Sequence, residues 1–382
     1  KDKDYEFSIG KAIVMSDVIH QNVKELKRNF MRSEKNEHKQ QISELYKIIF
    51  SVENGETFFY CRLVYLIPNQ TTLFRIQTEL QFVNYHNRTK EEADQWYEMY
   101  CSSFFDEYQV FQYIEKKQGE LDRTKRTCRF CGQKLPNVTF DNISHAISES
   151  IGGHRNLICY EECDDCNTRL AKVEDHLCNW LEFRCCQFGV KKKSGGVPNA
   201  YGRNFVIEKQ KITVFEQKGQ KQDHDKILAI GSNTITLQGI YRALCKIVID
   251  LIESEHLLRL QKTIDWINGK LKGSKYPQVA QMPGLPHINK PHLYIFTRKD
   301  GIDSDNAPLH FCILKIFDNA FLYALPHVDG RMLFASSYTA NINIEALKVF
   351  NLCQKWIWES YDTTEVRNPN VGLDMSGSIK TP

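Results

Sequence analysis

At 382 residues the chain is too long for one ordinary domain, and its 42% apolar and 25% charged residues exclude a wholly disordered or fibrous protein. The 50 basic and 47 acidic residues nearly cancel to a net charge of +3, too small to announce a nucleic-acid binder, so any basic surface must come from clusters such as Arg123 to Arg129 and Lys191 to Lys193. No run approaches the roughly 18 apolar residues of a membrane span, and Lys1 to Asp4 leads into no signal-peptide core, so a cytoplasmic protein without membrane association is expected.

Residues 11 to 50 carry Val23, Leu26, Phe30, Ile42, Leu45 and Ile48 at helical spacing, which predicts one or two amphipathic helices. After the turn signal Asn54-Gly55, the stretches Thr57 to Ile67 and Thr72 to Tyr85 are β-branched and aromatic and read as paired strands. Thr89 and Glu92 form a capping box that starts a helix through Trp96, Tyr97, Tyr100, Phe104 and Phe105 toward Tyr113. Its aromatic stripe is expected to be buried rather than stacked on bases.

Gly189 to Gly202 combines lysines, glycines and a proline and reads as a linker. Strands are expected over 204 to 215. A helix is expected over Thr236 to Glu253, from Leu237, Ile240, Leu244, Ile247, Val248 and Leu251, and helical structure continues over His256 to Trp266. Leu293 to Thr297, Phe311 to Phe317 and Phe321 to Leu325 are short β segments of a mostly antiparallel sheet. Ile344 to Tyr361 is expected to close the fold as a helix, and the polar tail from Thr363 to Pro382 to be disordered.

Without an export signal, the 13 cysteines are expected to be reduced thiols and metal ligands. Cys128-Arg-Phe-Cys131 and Cys163-Asp-Asp-Cys166 each set two thiolates on one tight turn, and together they make a closed tetrahedral zinc site. Gly132 suits the turn that aims backbone N–H groups at the sulfurs. Cys159 competes as a ligand, but a buried thiol is its expected role.

Between the pairs runs Ser144-His145, then Ser148-Glu149-Ser150, Gly152-Gly153, and Arg155-Asn156-Leu157. In this frame of a first cysteine pair, a histidine, two glycines, an Asn-Leu and a second pair followed by Asn167, the chain resembles the HNH endonuclease superfamily, in its zinc-stapled branch. The resemblance covers Cys128 to His176, and the flanking regions carry no motif of their own. It implies a ββα-metal module in which His145 is the general base that deprotonates the attacking water, Asn156 braces the loop, and Asn167 on the helix ligates the metal. The implied catalytic ion is Mg²⁺ or Mn²⁺, which offsets charge on the phosphate, while the zinc only holds the fold.

The sequence departs from the pattern where an acidic ligand commonly precedes the histidine, for that position is Ser144, and Ser148 stands for the usual proline. Asp141, Glu149, Glu174 and His176 are therefore candidates to complete the catalytic metal site. Ser150, Arg155, Arg169 and Lys172 are candidate phosphate contacts.

The expected fold is α+β, with a central HNH module (121–188) and a basic linker (189–202) between two mixed flanking regions, 1–120 and 203–362, before a tail at 363–382. The expected function is metal-dependent hydrolysis of DNA, most simply duplex, by a homodimer or under a regulatory partner, with restriction or antiphage defence as the implied setting. The alternative is a zinc-stabilised nucleic-acid or protein binding module without hydrolysis.

Overall fold

The computed structural model describes residues 89–152, 156–191, 199–208, 211–215, 226–272, 276–299, 308–328 and 355–374, with shorter pieces at 13–14, 57–58, 196–197 and 331–332 and single positions between 16 and 28. The chain is of mixed α+β class and divides into two compact units, one of Lys1–Asp106 with Asn343–Asn351, the other of Glu107–Ile342 with Leu352–Pro382. Among the described residues no helix is long and apolar enough to cross a membrane.

In the first unit, β1 (Ile13–Val14) pairs antiparallel with β2 (Thr57–Phe58). The described positions between 17 and 28 are helical, while most of residues 29 to 88, including the expected turn and the bulk of both expected strands, lies outside the described residues. Helix α1 (Lys90–Tyr100) begins at the expected box: Thr89 Oγ1 accepts from Glu92 N at 3.2 Å, and Thr89 N donates back to Glu92 Oε2 at 2.9 Å. The aromatic stripe is buried at Tyr97, Phe104 and Phe105, with Tyr97 and Phe105 stacked at 6.0 Å between ring centres.

The helix does not continue to Tyr113. It passes through α2 (Ser102–Glu107) and gives way to β3 (Tyr108–Tyr113), whose residues Tyr-Gln-Val-Phe-Gln-Tyr bury Tyr108, Val110 and Tyr113. β-Branched and aromatic residues alternating with glutamine favour the pleated surface over a further helical turn.

The second unit is built on two long antiparallel strands, β11 (Val279–Arg298) and β12 (His310–Ala324), where three short strands were expected. β3 adds to β11 over Leu293↔Tyr113 to Arg298↔Tyr108. The β11–β12 register shifts between Pro283 and Ile288 and again before His292, a stretch in which Pro283, Pro286 and Pro291 have no N–H to give the ladder.

Where a closing helix was expected up to Tyr361, β15 (Ile357–Glu359) pairs with the start of β11 instead. Trp356 is buried and Ile357 exposed, a two-residue alternation that overrides the helical one; residues 344–354 lie outside the described residues. The tail is also structured up to Asp374. Arg367 bridges Ile235, and β16 (Asn370–Asp374) pairs with β10 (Lys226–Ile230) from Lys226↔Asp374 to Ile230↔Asn370. Main-chain hydrogen bonds make that pairing, so polar composition did not preclude it.

A smaller sheet joins β7 (Ala200–Tyr201), β8 (Phe205–Glu208) and β9 (Lys211–Val214), so the far end of the expected linker is already a strand. Helix α3 (Asp164–Gln187) packs on α4 (Leu237–Leu251), which is buried on nearly all sides. Tyr241 Oη donates to the Ala324 carbonyl at 2.5 Å and Tyr323 Oη to that of Leu244 at 3.1 Å, tying α4 to β12. One apolar core runs from Cys128, Phe130 and Leu170 through Leu244 and Val248 to Leu314 and Phe321. The cysteine frame and the C-terminal sheet therefore share their interior.

Candidate metal centre

Cys128 and Cys131 flank a turn closed by Gly132 N donating to Cys128 O at 2.8 Å, with Gly132 at φ 72°, a conformation that favours glycine. Cys163 is the N-cap of α3 and Cys166 lies in its first turn. The four Sγ atoms lie within 4.8 Å of one another, and Cys131 and Cys163 sulfurs are 3.7 Å apart. Zn–S bonds of about 2.3 Å arranged tetrahedrally put sulfurs roughly 3.8 Å apart, so the donors fit a structural zinc.

The surroundings favour thiolate at Cys128, whereas burial pushes Cys163 up to about 12, and the hydrogen bond to Cys128 followed by burial pushes Cys166 up. A hydrogen bond from the Cys166 thiol, together with the backbone N–H groups of Cys163, Cys131 and Phe130, holds Cys128 down at about 5. Arg169 Nη2 donates to Cys166 Sγ at 3.2 Å. Cys159 stays outside the cluster as a buried thiol, and burial pushes it well above the usual range.

Next to this centre, β5 (Ser144–His145) pairs antiparallel with β6 (Leu157–Cys159), and β4 (Lys116–Gln118) lies parallel on the other side of β6. Asp164, the first residue of α3, anchors the approach to β5: it accepts from Thr139 Oγ1, from Asp141 N and Asn142 N at 2.9 Å each, and from Asn142 Nδ2. Those donors pull its carboxyl down to about 2 against the opposing effect of burial.

His145 is half-buried. Its Nε2 is 3.4 Å from Glu149 Oε1, and its buried Nδ1 has no hydrogen-bond partner among the described residues. Asn156 is half-buried at the entry to β6, where its carbonyl accepts from Lys116 N at 2.6 Å. Asn167 is half-buried in the first turn of α3.

The other candidates disperse. Asp141 is exposed and pairs with Arg123 at 3.1 Å. Glu174 is 2.8 Å from the ammonium of Lys246. His176 Nδ1 accepts from Thr236 N at 3.2 Å, at the head of α4, and burial followed by Arg242 lowers its pKa. Among the described residues, the four cysteines are the one group of at least three metal-ligating side chains whose atoms converge.

Of the candidate phosphate contacts, Ser150 is exposed and donates to Cys178 Sγ at 3.3 Å. Arg169 also bonds Asn268 Oδ1 at 2.9 Å, Lys172 is exposed on α3, and Arg155 lies outside the described residues. The basic cluster at 123 to 129 is split, with Arg123 and Lys125 exposed and the other two arginines internal. Arg126 is buried and donates to the Glu120 and Leu121 carbonyls, and Arg129 is buried against Glu161.

Comparison with family models, with curated proteins and with solved structures finds no match for this chain.

The residues that sequence reasoning missed are charged and buried. Lys246 on α4 meets Glu162, Glu174 and Asp250, and Glu162 also receives the hydroxyl of Ser144. Burial opposes the charge on Lys246, yet Asp250, Glu162 and Glu174 together hold its ammonium well above the usual lysine range. Burial pushes Asp250 up to about 8 against the pull of Lys246. In the sequence, Lys246 and Asp250 form an (i, i+4) pair that reads as an ordinary surface pair, and no spacing links either to Glu162.

Proposed function

We propose that this protein is a metal-dependent endonuclease of the HNH type, which hydrolyses phosphodiester bonds of DNA around His145, with a zinc-stapled frame as its rigid support. One observation carries the reading: the paired strands β5 and β6, with His145 at the end of the first, lead directly into α3, whose N-terminus supplies half of a four-cysteine site. That order of two strands, helix and staple is what the resemblance implies for such a module.

The chemistry follows from the residues around His145. A water attacking phosphorus has to lose a proton, and an imidazole takes it near neutral pH. With Nδ1 buried, Nε2 is the nitrogen that takes the proton, and the Glu149 carboxylate at 3.4 Å from it stabilises the imidazolium once the proton has moved. Asp164 keeps the approach to β5 in place while α3 grows from the zinc site. A hard divalent ion, Mg²⁺ or Mn²⁺, supplies charge neutralisation on the phosphate when bound. Asn167 is the donor we assign to it; Glu149 faces His145, and Asp141, Glu174 and His176 are committed to Arg123, Lys246 and Thr236. The setting we favour is restriction or antiphage defence in the cytoplasm.

A second reading, a zinc-stabilised binding module without hydrolysis, is favoured by one observation. Ser144 stands where the resemblance expects an acidic ligand, and its hydroxyl is committed to Glu162. Supercoiled plasmid separates the two. The nuclease reading expects relaxed or linear product with Mg²⁺ or Mn²⁺ that disappears with a chelator too weak to strip the zinc. Tight DNA binding with no product under any divalent ion supports the binding module.

A further inference from the structure

Lys246 is fully buried, and it sits on α4, remote in sequence from the cysteine frame. Its ammonium lies 2.9 Å from Glu162 Oε2, 2.8 Å from Glu174 Oε1 and 2.9 Å from Asp250 Oδ2, with the Phe130 ring of the first cysteine turn 5.4 Å away. Glu162 Oε2 accepts a second hydrogen bond from the hydroxyl of Ser144, the residue immediately before His145. A single carboxylate oxygen thus joins α4 to β5.

We propose that Ser144, Glu162 and Lys246 form a positioning relay that fixes the rotation of β5 and thereby aims His145. The proposal rests on the nuclease reading above for what His145 does. Apolar side chains of similar volume fill such a space without desolvating any charge, so a buried ion cluster contributes little net stability. Its distinctive contribution is direction, because a carboxylate shared by an ammonium and a hydroxyl holds both in fixed places.

Adjacent residues on a strand point to opposite faces. Holding Ser144 inward, at 1% exposure, turns the next side chain outward, where His145 is 20% exposed. β5 pairs with β6 through Ser144↔Cys159 and His145↔Ile158, with one further bond from Ala146 N to the Leu157 carbonyl at 2.9 Å, so its ladder is short and a side-chain anchor adds to what resists rotation. Ser144 thereby serves as the anchor of the strand, in a position where the superfamily pattern has a ligand. Glu162 and Lys246 act on His145 only through it.

Ser144→Ala cuts the relay from the strand and leaves the ion cluster whole, whereas Ser144→Thr keeps the hydroxyl. On supercoiled plasmid with Mg²⁺, kcat of Ser144→Ala is expected to fall on the order of tenfold or more, as for a slightly misplaced base. KM and zinc content should stay near wild type, melting temperature should fall modestly for the one lost buried hydrogen bond, and Ser144→Thr should recover most of kcat. In ¹⁵N-histidine NMR spectra the His145 ring signals should move in Ser144→Ala and return in Ser144→Thr. Wild-type kcat together with unmoved His145 signals in Ser144→Ala overturns the relay. A wild-type protein that cuts no DNA sinks the nuclease reading separately, and the His145 signals then decide the relay alone.

Discussion

Arg129, inside the first cysteine turn, donates Nη1 to the Ile252 carbonyl at 2.6 Å and to that of Ile249 at 2.9 Å, and so caps the C-terminal end of α4. Its Nη2 reaches Ser254 Oγ at 2.9 Å and its Nε pairs with Glu161 at 3.1 Å. Helix C-termini carry carbonyls without intrahelical partners, and here a guanidinium from the cysteine frame satisfies them. Arg129→Ala is therefore expected to cost about 3–5 kcal/mol, because it leaves buried carbonyls and a carboxylate unpaired. Arg129→Lys should recover little of it, since an ammonium lacks the fork. Denaturant unfolding of the two variants checks this, and a loss within experimental error of zero for Arg129→Ala refutes it.

Loss of zinc should be felt beyond the cysteine turn. Cys166→Ser is expected to abolish stoichiometric zinc binding and lower the melting temperature on the order of 10 °C. Hydrogen exchange should accelerate in the last turn of α4 as well as at residues 128–133, because Arg129 transmits the loosening to Ile249 and Ile252. Exchange confined to the cysteine turns contradicts this coupling.

Two carboxyls give the stability curve opposite slopes. Asp164, held down at about 2 against burial by Thr139, Asp141 and Asn142, contributes stability that is present above the ordinary aspartate range and lost as pH falls toward 2. Asp250, raised to about 8 by burial, contributes stability that is present below the ordinary range and lost as pH rises through 8. Between them these two carboxyls favour mildly acid solution, against His176, His292 and His327, whose lowered pKa takes stability away as pH falls below the ordinary histidine range. Asp250→Asn should flatten the decline between roughly pH 4 and 8, and Asp164→Asn the acid limb. Melting temperature against pH for the wild type and both variants reads out each slope.

Gly239 is a point of tight contact between α4 and α3. A Cβ there would lie 2.1 Å from the His176 ring, which is itself held by the hydrogen bond from Thr236 N. Gly239→Ala is expected to destabilise by about 1–3 kcal/mol through overpacking, although alanine has the better helix propensity. A stabilised variant in thermal unfolding would show that the two helices part without cost.

The sequence was legible wherever residue type and spacing act locally. The cysteine pairs, the Thr89–Glu92 box and the apolar spacing from Leu237 to Leu251 each carry their own geometry, and each element formed as spaced. It was illegible where distant partners decide. β16 forms because β10 offers main-chain partners, and β15 because β11 does, against the apolar spacing that predicted a helix. Charge misled at Arg126 and Arg129, which read in the sequence as part of a basic surface, since charged residues default to the surface unless paired; Lys246 went unread because Glu162 and Glu174 lie far off in sequence. The same ambiguity scattered the candidates around His145: Glu174 and His176 share its module by sequence, but each turns to α4.

The most direct test of the central claim is the rate of supercoiled-plasmid cleavage by wild type and His145→Ala, prepared at matched zinc content and matched melting temperature. The nuclease reading predicts that wild type cleaves with Mg²⁺ or Mn²⁺ and that His145→Ala loses at least about a hundredfold in rate, the typical contribution of a positioned general base. Equal rates for the two proteins would contradict it.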